Sequence, residues 1–223
     1  MRKKILAGYC TDENCKEITS DDAHRLTHLN IASGTVRDGR ALLVSEEGVG
    51  CAARLKEWNP ELKCSVCFGG EFSTPCLTQE GRKKIAGGIA SLVQKYGLDG
   101  ADIDWEYPCC GENGFDARPA DRETYSLLLK ETRCALDRLE GPRRLLTSAV
   151  GAGQYFLDST RMAEAQRYLD TVYLMTYDIR GAFQVLTGHH TNLYSPVGDI
   201  FTDSADSACL LYTSPSPRDQ RGS

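Results

Sequence analysis

The chain contains 223 residues, which is enough for one ordinary domain. Its hydrophobic fraction of 41% and charged fraction of 26% are typical of a globular protein, and its net charge of −5 offers no attraction for nucleic acid or an anionic membrane. No apolar run approaches the roughly 20 residues that a membrane helix needs. We therefore predict no nucleic-acid partner and no membrane association, and we expect a monomer.

Apolar runs with strand character alternate with amphipathic stretches along the chain. The clearest helical pattern places Ile85, Ile89, Leu92 and Val93 on one face of residues 82–96. Such alternation favours a parallel sheet with crossover helices, either a barrel or a doubly wound sheet. In chain order, we predict a strand at 4–9, a helix at 20–26, a strand at 29–33, a helix at 46–58, a strand at 62–68, a helix at 82–96, a strand at 101–107, a helix at 121–139, a strand at 145–150, a helix at 161–168 and a strand at 172–177.

The two ends of the chain carry separate expectations. The apolar stretch 5–9 is too short for the core of a signal peptide and residues 10–21 are polar, so we see no export signal. Taken alone this indicates a cytoplasmic protein, and the location stays open. Residues 209–219 read CLLYTSPSPRD, and their back-translation resembles a transposase adapter used in sequencing libraries. The alternative is a Ser/Pro-rich disordered tail. We favour the adapter and predict one folded unit over 1–208, followed by a non-native, disordered tail over 209–223.

Cysteine and histidine pairs suggest a metal site, which we weigh against plain structural roles. The chain has ten cysteines, and without a leader they are expected to be reduced. Cys64-x-x-Cys67 has metal-site spacing, but it lies in a predicted strand, where residues three apart face opposite sides. Joint ligation is therefore disfavoured, and we predict no metal and no organic cofactor. Two adjacent pairs could bind a metal only if the fold unites them: Cys109–Cys110 and His189–His190.

The most informative stretch is residues 98–108, which read LDGADIDWEYP. Asp102, Asp104 and Glu106 alternate with Ile103 and Trp105, so a strand puts three carboxylates on one face and two large apolar groups on the other. Mutual repulsion raises at least one carboxyl pKa, and that acid keeps its proton near neutral pH. A proton donor beside ionised carboxylates is what glycosidic bond cleavage requires.

Two other readings of the acidic stretch are less favoured. An EF-hand loop that begins at Asp102 would need glycine at its sixth position and glutamate at its twelfth. The chain has Tyr107 and Asn113 at these positions, so this calcium-binding motif is excluded. A different divalent-cation site stays open as an alternative. A merely solvated acidic strand fits poorly, because Ile103 and Trp105 indicate that one side of the strand is buried.

The spacing Asp99-x-x-Asp102-x-Asp104-x-Glu106 resembles the DxxDxDxE signature of family 18 glycoside hydrolases, the chitinase-type enzymes. The resemblance covers about residues 4–208 and implies an α/β fold, an incomplete (β/α)8 TIM barrel with about six of the eight β/α units. Four less specific segments resemble the family in the same order along the chain. Residues 7–9 (AGY) resemble its first strand, and residues 67–70 (CFGG) resemble its SxGG motif, with Cys67 in place of the usual Ser. Residues 174–178 (LMTYD) resemble its MxYD motif, and residues 188–194 (GHHTNLY) resemble the segment after that motif.

For the site, the resemblance implies retaining, substrate-assisted hydrolysis of β-1,4-linked N-acetylglucosamine in chitin or chito-oligosaccharides. Glu106 would be the acid/base, and Asp104 would hold the acetamido N–H of the substrate. Asp102 would lie behind Asp104 and share a proton with it, while Tyr177 would fix the acetamido oxygen for attack. The same sugar subsite would be lined by Tyr9, Met175 and Asp178.

Several alternatives accompany this interpretation. Taken alone, Tyr177 is an ordinary core tyrosine and Met175 a gap-filling side chain. A lectin on the same fold is the main alternative function, although lectins of the family usually lack the glutamate; a hydrolase of peptidoglycan or N-glycans is another. Family members usually place an aromatic platform, often a Trp, on strand eight, a position that neither Trp58 nor Trp105 fits. The resemblance also stops before strands seven and eight, which leaves strand edges unpaired and apolar faces exposed. We therefore predict that this chain as written is poorly stable and nearly inactive.

Overall fold

The computed structural model describes residues 4–111, 114–179, 187–191 and 193–194. The predicted tail at 209–223 lies outside these residues. The strands are β1 Ala7–Thr11, β2 His28–Arg37, β3 Arg40–Leu43, β4 Lys63–Gly70, β5 Gly100–Asp104, β6 Leu145–Gly151 and β7 Thr171–Met175. They form one sheet, in which six strands run parallel in the order β1-β2-β4-β5-β6-β7 and β3 pairs antiparallel with β2.

Helices connect the parallel strands, and threonine side chains cap the N-termini of several of these helices. Thr19 and Asp22 form a reciprocal capping box, and Thr78 accepts a hydrogen bond from the backbone N–H of Gly81 at 3.0 Å. These caps satisfy N–H groups that have no partner inside the helix. The helices are α1 Asp12–Cys15, α2 Ser20–Arg25, α3 Glu47–Trp58, α4 Ser73–Cys76, α5 Gln79–Lys95, α6 Asp121–Leu136, α7 Gln154–Asp158 and α8 Met162–Ala165.

The hydrophobic core lies between the sheet and the helices that cover its outer face. Alternate residues of the central strands point outward, and the helices present apolar stripes to them, as the helical spacing in α5 predicts. No helix in the described part of the chain combines the length and the apolar character that a bilayer-spanning segment requires. Fully buried members of this layer include Val66, Phe68, Ile85, Ile89, Ile103, Tyr125, Leu128 and Leu146.

The structure differs from the predicted elements in two lengths and in four short elements that were not predicted. The strand predicted at 101–107 is too long: β5 ends at Asp104, and the backbone N–H and C=O groups of Tyr107 and Cys110 pair with each other in a turn. The hairpin strand β3 was not predicted; its turn contains Asp38 and Gly39, both with positive φ. The helix predicted at 161–168 is reduced to α8, and the short helices α1, α4 and α7 carry too little periodicity to be predicted.

The described sheet is an open partial barrel, which confirms the predicted α/β class and the incomplete (β/α)8 TIM architecture with six parallel strands. β1 and β7 form its two edges within the described residues, and the apolar side chains near these edges are exposed. Unpaired edges and exposed apolar groups are sites of aggregation and low stability. The exposed side chains near the edges are Ile5, Leu6, Tyr9, Leu174 and Tyr177.

Candidate active site

Three carboxylates come together at the carboxyl end of β5, on the inner face of the sheet. Asp102 lies within the strand, Asp104 is its last residue, and Glu106 follows two residues later. The intervening side chains of Ile103 and Trp105 point to the opposite, helix-covered face and are 0% and 3% exposed. The alternation expected from the sequence therefore continues one step past the end of the regular strand, and it leaves Asp104 hydrogen-bonded to Glu106.

Asp102 is a completely buried carboxyl group held by two hydroxyl donors. It accepts hydrogen bonds from the phenol of Tyr9, at 2.9 Å, and from the hydroxyl of Thr147, and Cys67 lies beside it on β4. Thr147 and Cys67 are the cross-strand register partners of Asp102 on the two neighbouring strands. Burial raises the pKa of Asp102, although the hydrogen bonds from Thr147 and Tyr9 act in the opposite direction.

The retained proton of the trio lies with Asp104. Burial, followed by the negative charges of Glu106 and Asp102, raises the pKa of Asp104 from 3.8 to about 7. At neutral pH a protonated Asp104 can therefore donate to the carboxylate of Glu106. Its Oδ1 is buried and receives no hydrogen bond from an N–H or hydroxyl group of the described residues. Such an atom is a ready acceptor for a donor on a bound molecule.

Aromatic packing fixes the backbone on both sides of Glu106. The ring of Trp105 stacks on Phe72 with 5.2 Å between centroids and meets Tyr125 edge-on at 6.1 Å. Tyr107 is hydrogen-bonded to Glu106 and contacts the ring of Tyr155 edge-on at 5.5 Å. Glu106 itself is only partly buried. Its backbone is therefore held rigidly by the packing around it, while its carboxyl group can be reached by a bound molecule from the inner face.

The other predicted site residues lie within β1, at the end of β7 and just beyond it. Tyr177 follows β7 by two residues and is 50% exposed, and its pKa is raised by burial and by the nearby charges of Asp104 and Glu106. It therefore lies within electrostatic range of the acid pair. Met175 is the last residue of β7. Asp178 has a positive φ and an Oδ1 that lies 3.4 Å from Nδ1 of His190.

Four further side chains support the site, and only one of them, Cys67, was singled out in the sequence. Thr147 donates to Asp102, Cys67 lies beside it, and Tyr173 packs edge-on against Tyr9 with 5.8 Å between ring centroids. Inward alternation on β4, β6 and β7 is a signal that could have assigned these three to the site. The fourth, Asp121, is buried and accepts from the hydroxyl of Ser73 at 2.8 Å and from the backbone N–H groups of Arg118 and Cys109. It ties together loops that border the carboxyl ends of β4 and β5.

Asp99, the first acid of the signature, belongs to the opposite end of the strand. Its carboxylate pairs with Lys56 and Lys63 and accepts a hydrogen bond from the backbone N–H of Cys64 at 2.9 Å. These contacts join β5 to the start of β4 and to the end of α3. Asp99 therefore anchors the strand and does not share the space of the other three acids.

Metal ligation finds no support in the part of the chain that the structure describes, where no group of three His, Cys, Asp or Glu side chains is arranged for an ion. Cys67 points inward to Asp102, whereas Cys64 lies on the helix side near Cys15 and Lys56. The two cysteines of the CxxC spacing thus face opposite sides of β4, as a strand requires.

Comparisons with known proteins agree with this geometry. The sequence profile described as "Glycosyl hydrolases family 18" matches residues 5–216. Chitinase A1 of Niallia circulans is 37% identical over 153 residues, covering 64% of this chain and 22% of its own, and probable chitinase 2 of Drosophila melanogaster is 34% identical over 152 residues, covering 65% and 30%. The chain thus spans less than a third of the length of these curated relatives.

Solved structures give the same result for the fold. A glycoside hydrolase family 18 N-acetylglucosaminidase from Paenibacillus barengoltzii superposes with a TM-score of 0.89 at 44% identity, covering 96% of this chain and 66% of that one. Chitinase ChiA74 from Bacillus thuringiensis superposes with a TM-score of 0.86 at 25% identity, covering 95% and 46%. The open sheet described above therefore corresponds to part of a larger barrel in both.

Proposed function

Because the chain belongs to family 18 of the glycosyl hydrolases, we propose that its barrel hydrolyses β-1,4 linkages of N-acetylglucosamine polymers with Glu106 as the acid/base. The observation that carries the proposal is the pair formed by Asp104 and Glu106. One carboxyl group keeps its proton at neutral pH and is hydrogen-bonded to the other, which is partly exposed on the inner face. A shared proton next to an accessible carboxylate is the element that acid catalysis of glycoside cleavage needs.

The first half of the reaction uses the proton of this pair. Glu106 receives it and protonates the glycosidic oxygen as the bond to the leaving sugar breaks. The 2-acetamido oxygen of the substrate attacks the anomeric carbon and forms an oxazolinium ion, the substrate-assisted exception to the two-carboxylate scheme. Asp104, having given up its proton, accepts the acetamido N–H through the buried Oδ1 and lies close to the positive charge.

The second half of the reaction restores the free enzyme. Glu106 now removes a proton from water, which opens the oxazolinium ring with retained configuration. Asp102 lies behind Asp104 and shares a proton with it, which limits the build-up of negative charge on two adjacent carboxylates. The burial that raises the pKa of Asp102 supports this role, because it disfavours a second full negative charge beside Asp104.

Residues at the ends of β1 and β7 complete the proposed sugar subsite. Tyr177 donates a hydrogen bond to the acetamido oxygen and fixes it for attack, a positioning contribution. Its place beside Asp104 and Glu106 supports this assignment. Tyr9, Met175 and Asp178 line the same subsite. The substrate class follows from the acetamido requirement: chitin or chito-oligosaccharides, bound by a monomer without metal or organic cofactor.

The chain as written is proposed to retain little of this activity. The described parallel sheet has six strands, and apolar groups are exposed at both of its edges. Unpaired edges and exposed apolar groups favour low stability. We propose that residues 209–223 are an adapter-like tail and that 1–208 is the part of the catalytic barrel present here. Turnover of chito-oligosaccharides by residues 1–208 alone, at rates usual for the family, would contradict this part of the proposal.

The test compares Glu106→Gln with the parent sequence, in this chain and in the uninterrupted reading frame beyond Ala208. The amide keeps the size of the side chain and removes its acid and base function, so hydrolysis of N-acetylglucosamine tetramer should fall by about 10³-fold or more while sugar binding is kept. Mass spectrometry measures the products and calorimetry the binding. Glu57→Gln, an exposed glutamate on α3, is the matched control and should leave both unchanged.

Each other outcome identifies a different function. Tetramer binding without hydrolysis by the uninterrupted parent protein would refute the enzyme and indicate a lectin. Cleavage of peptidoglycan or N-glycans in preference to the tetramer would change the substrate class while keeping the mechanism. Equal cleavage of a glucose tetramer, which lacks the acetamido group, would refute substrate assistance.

A further inference from the structure

A cavity opens at the amino-terminal ends of the parallel strands, on the opposite side of the barrel from the acid trio. Its wall includes the first residues of β2, β4 and β6, which are His28, Lys63 and Leu145, and Asp99 directly before β5. Its volume is about 570 Å³, which lies within the range of roughly 300–1,000 Å³ that small-molecule sites occupy. Barrel enzymes keep their catalytic residues at the carboxyl ends of the strands, so the proposed hydrolysis makes no use of this amino-end cavity.

The amino-end cavity is positively charged, although the chain as a whole has a net charge of −5. Five Lys and Arg side chains line it, against the two carboxylates of Glu61 and Asp99. Asp99 offsets little of this charge, because its carboxylate already contacts Lys56 at 2.5 Å and Lys63 at 3.5 Å. A concave surface lined by one sign of charge concentrates ligands of the opposite sign. The five cationic residues are Lys4, Arg25, Lys63, Arg143 and Arg144.

Three of these cations have no acidic partner in the part of the chain that the structure describes. Arg143 is paired with Asp170, whereas Lys4, Arg25 and Arg144 form no ion pair with the described residues. The Nε atom of Arg144 is also buried, and no hydrogen-bond acceptor among those residues reaches it. A buried donor without an acceptor costs free energy, so an anion that accepts from Arg144 would be stabilised. Guanidinium groups are the preferred partners of phosphate oxygens.

Hydrogen bonds fix the wall of the amino-end cavity. The hydroxyl of Thr27 accepts from the backbone N–H of Leu6 at 2.8 Å and donates to the carbonyl oxygen of the same residue at 3.0 Å. The backbone N–H of Lys63 donates to the carbonyl oxygen of Thr27 at 3.0 Å, and the side-chain amide of Asn59 donates to that of Ala23 at 2.8 Å. The segments before β1, β2 and β4 are therefore joined, which lowers the entropy cost of binding.

Apolar side chains form the remainder of the wall. Ile5, Leu26, Pro142 and Leu145 all line the amino-end cavity, and Ile5 is 53% exposed. An inorganic ion would leave these groups in contact with water, whereas a ligand with an apolar body would cover them. The cavity therefore matches a molecule that has an anionic head and a compact apolar body.

We propose that the amino-end cavity binds a phosphate monoester with a compact apolar body. The phosphate group is held by Lys4, Arg25 and Arg144, and one of its oxygens accepts from the buried Nε of Arg144. Ile5 and Leu26 contact the apolar body. The carboxylate of Glu61 has no ion-pair partner among the described residues and opposes binding of the anion. This site is separate from Glu106 and does not depend on the proposed hydrolysis.

Titration calorimetry at low ionic strength tests the ligand class on samples of the full chain that unfold cooperatively in urea. Phenyl phosphate should bind saturably with a Kd of about 1 mM or tighter. Inorganic phosphate should bind about 5-fold more weakly, because it covers no apolar surface. Phenol should not bind. Absence of saturable phenyl phosphate binding up to about 10 mM would overturn the proposal. Equal affinities for phenol and phenyl phosphate would overturn it as well, since the cations would then contribute nothing.

The histidines report where the ligand binds. The chain has four of them, of which His24 and His28 line the amino-end cavity, whereas His189 and His190 belong to the segment after β7. In NMR spectra, phenyl phosphate should shift the imidazole signals of His24 and His28 and leave the other two unchanged. Shifts confined to His189 and His190 would refute the placement of the site.

Charge-changing substitutions test which side chains hold the phosphate. Arg144→Gln should weaken phenyl phosphate binding about 10-fold, and Arg25→Gln about 3-fold because this arginine is more exposed. Glu61→Gln should tighten binding about 2-fold, since it removes the opposing charge. Arg122→Gln, an exposed arginine in the first turn of α6, is the matched control and should leave the affinity unchanged.

Each arginine variant is a separate test of the proposal. Parental affinity in a folded Arg144→Gln or Arg25→Gln variant would contradict the role of that arginine, and parental affinity in both would overturn the site. If one of the two variants fails to fold, the other decides the result together with Glu61→Gln. Weaker binding by Glu61→Gln would also count against an anion at this position.

Discussion

Replacing Asp104 with Asn should change how the stability of the protein depends on pH. The folded-state pKa of Asp104 is raised to about 7, chiefly by burial and then by the charges of Glu106 and Asp102. Between pH 4 and pH 7 the unfolded chain has lost this proton while the folded protein keeps it. The folded state then binds more protons, so the free energy of unfolding falls as pH rises through this interval. Below pH 4 both states hold the proton and the contribution vanishes.

The size of the effect follows from the same pKa values. The interval between 3.8 and about 7, at about 1.4 kcal/mol per pH unit, corresponds to about 4 kcal/mol of stability lost to ionisation of this one carboxyl group. Asp104 is partly exposed and shares its proton with Glu106, so we expect about 3 kcal/mol. Asn carries no titrating proton at this position, and the variant should escape the loss.

Urea unfolding measured at intervals between pH 4 and pH 8 gives the two stability curves. The free energy of unfolding of Asp104→Asn, minus that of the unsubstituted chain, should increase by about 3 kcal/mol across this range. Asp158→Asn, an exposed aspartate on α7, is the matched control, and its curve should run parallel to that of the parent. A difference for Asp104→Asn that stays constant within about 0.5 kcal/mol would refute the placement of the retained proton.

Three further substitutions test the support of the site by urea unfolding. Thr147→Val should cost about 2 kcal/mol, and more at higher pH, because it removes a hydrogen bond to the ionised form of the buried Asp102; an unchanged midpoint at pH 8 would contradict this. Tyr9→Phe should cost about 1 kcal/mol, since this donor is 46% exposed; a loss as large as that of Thr147→Val would show that the exposed hydroxyl of Tyr9 stabilises Asp102 as strongly as the buried hydroxyl of Thr147 does. Gly100→Ala should cost about 2 kcal/mol or more, because a Cβ there would overlap the carbonyl oxygen of Leu145; wild-type stability would mean that β5 and β6 can separate at this point.

Much of the fold could be predicted because its signals are local. The spacing of apolar residues along the chain predicts the parallel strands and the long helices α3, α5 and α6 within a few residues of their observed bounds. The errors fall where a tertiary contact decides the outcome. β5 stops at Asp104 because the turn between Tyr107 and Cys110 takes its next hydrogen bonds, and β3 exists because two residues with positive φ reverse the chain.

The acid trio illustrates what a strand pattern can and cannot establish. A period of two residues puts Asp102, Asp104 and Glu106 on one side whatever the rest of the chain does, because successive side chains of a strand point to opposite faces. The family signature could be recognised from the same spacing. The distribution of protons among the three acids could not be predicted from the sequence. It depends on burial and on hydrogen-bond donors such as Tyr9 and Thr147, which lie far away in sequence.

The amino-acid order thus determined which side chains share a face, since strand and helix periods are set by neighbouring residues. Only the folded sheet decided which strands are neighbours, and therefore that Cys67 and Thr147 flank Asp102 and that Asp99 is used as an anchor. Electrostatic energies depend on distance through space and on exclusion of water, so the pKa of a carboxyl or a thiol belongs to the packed structure.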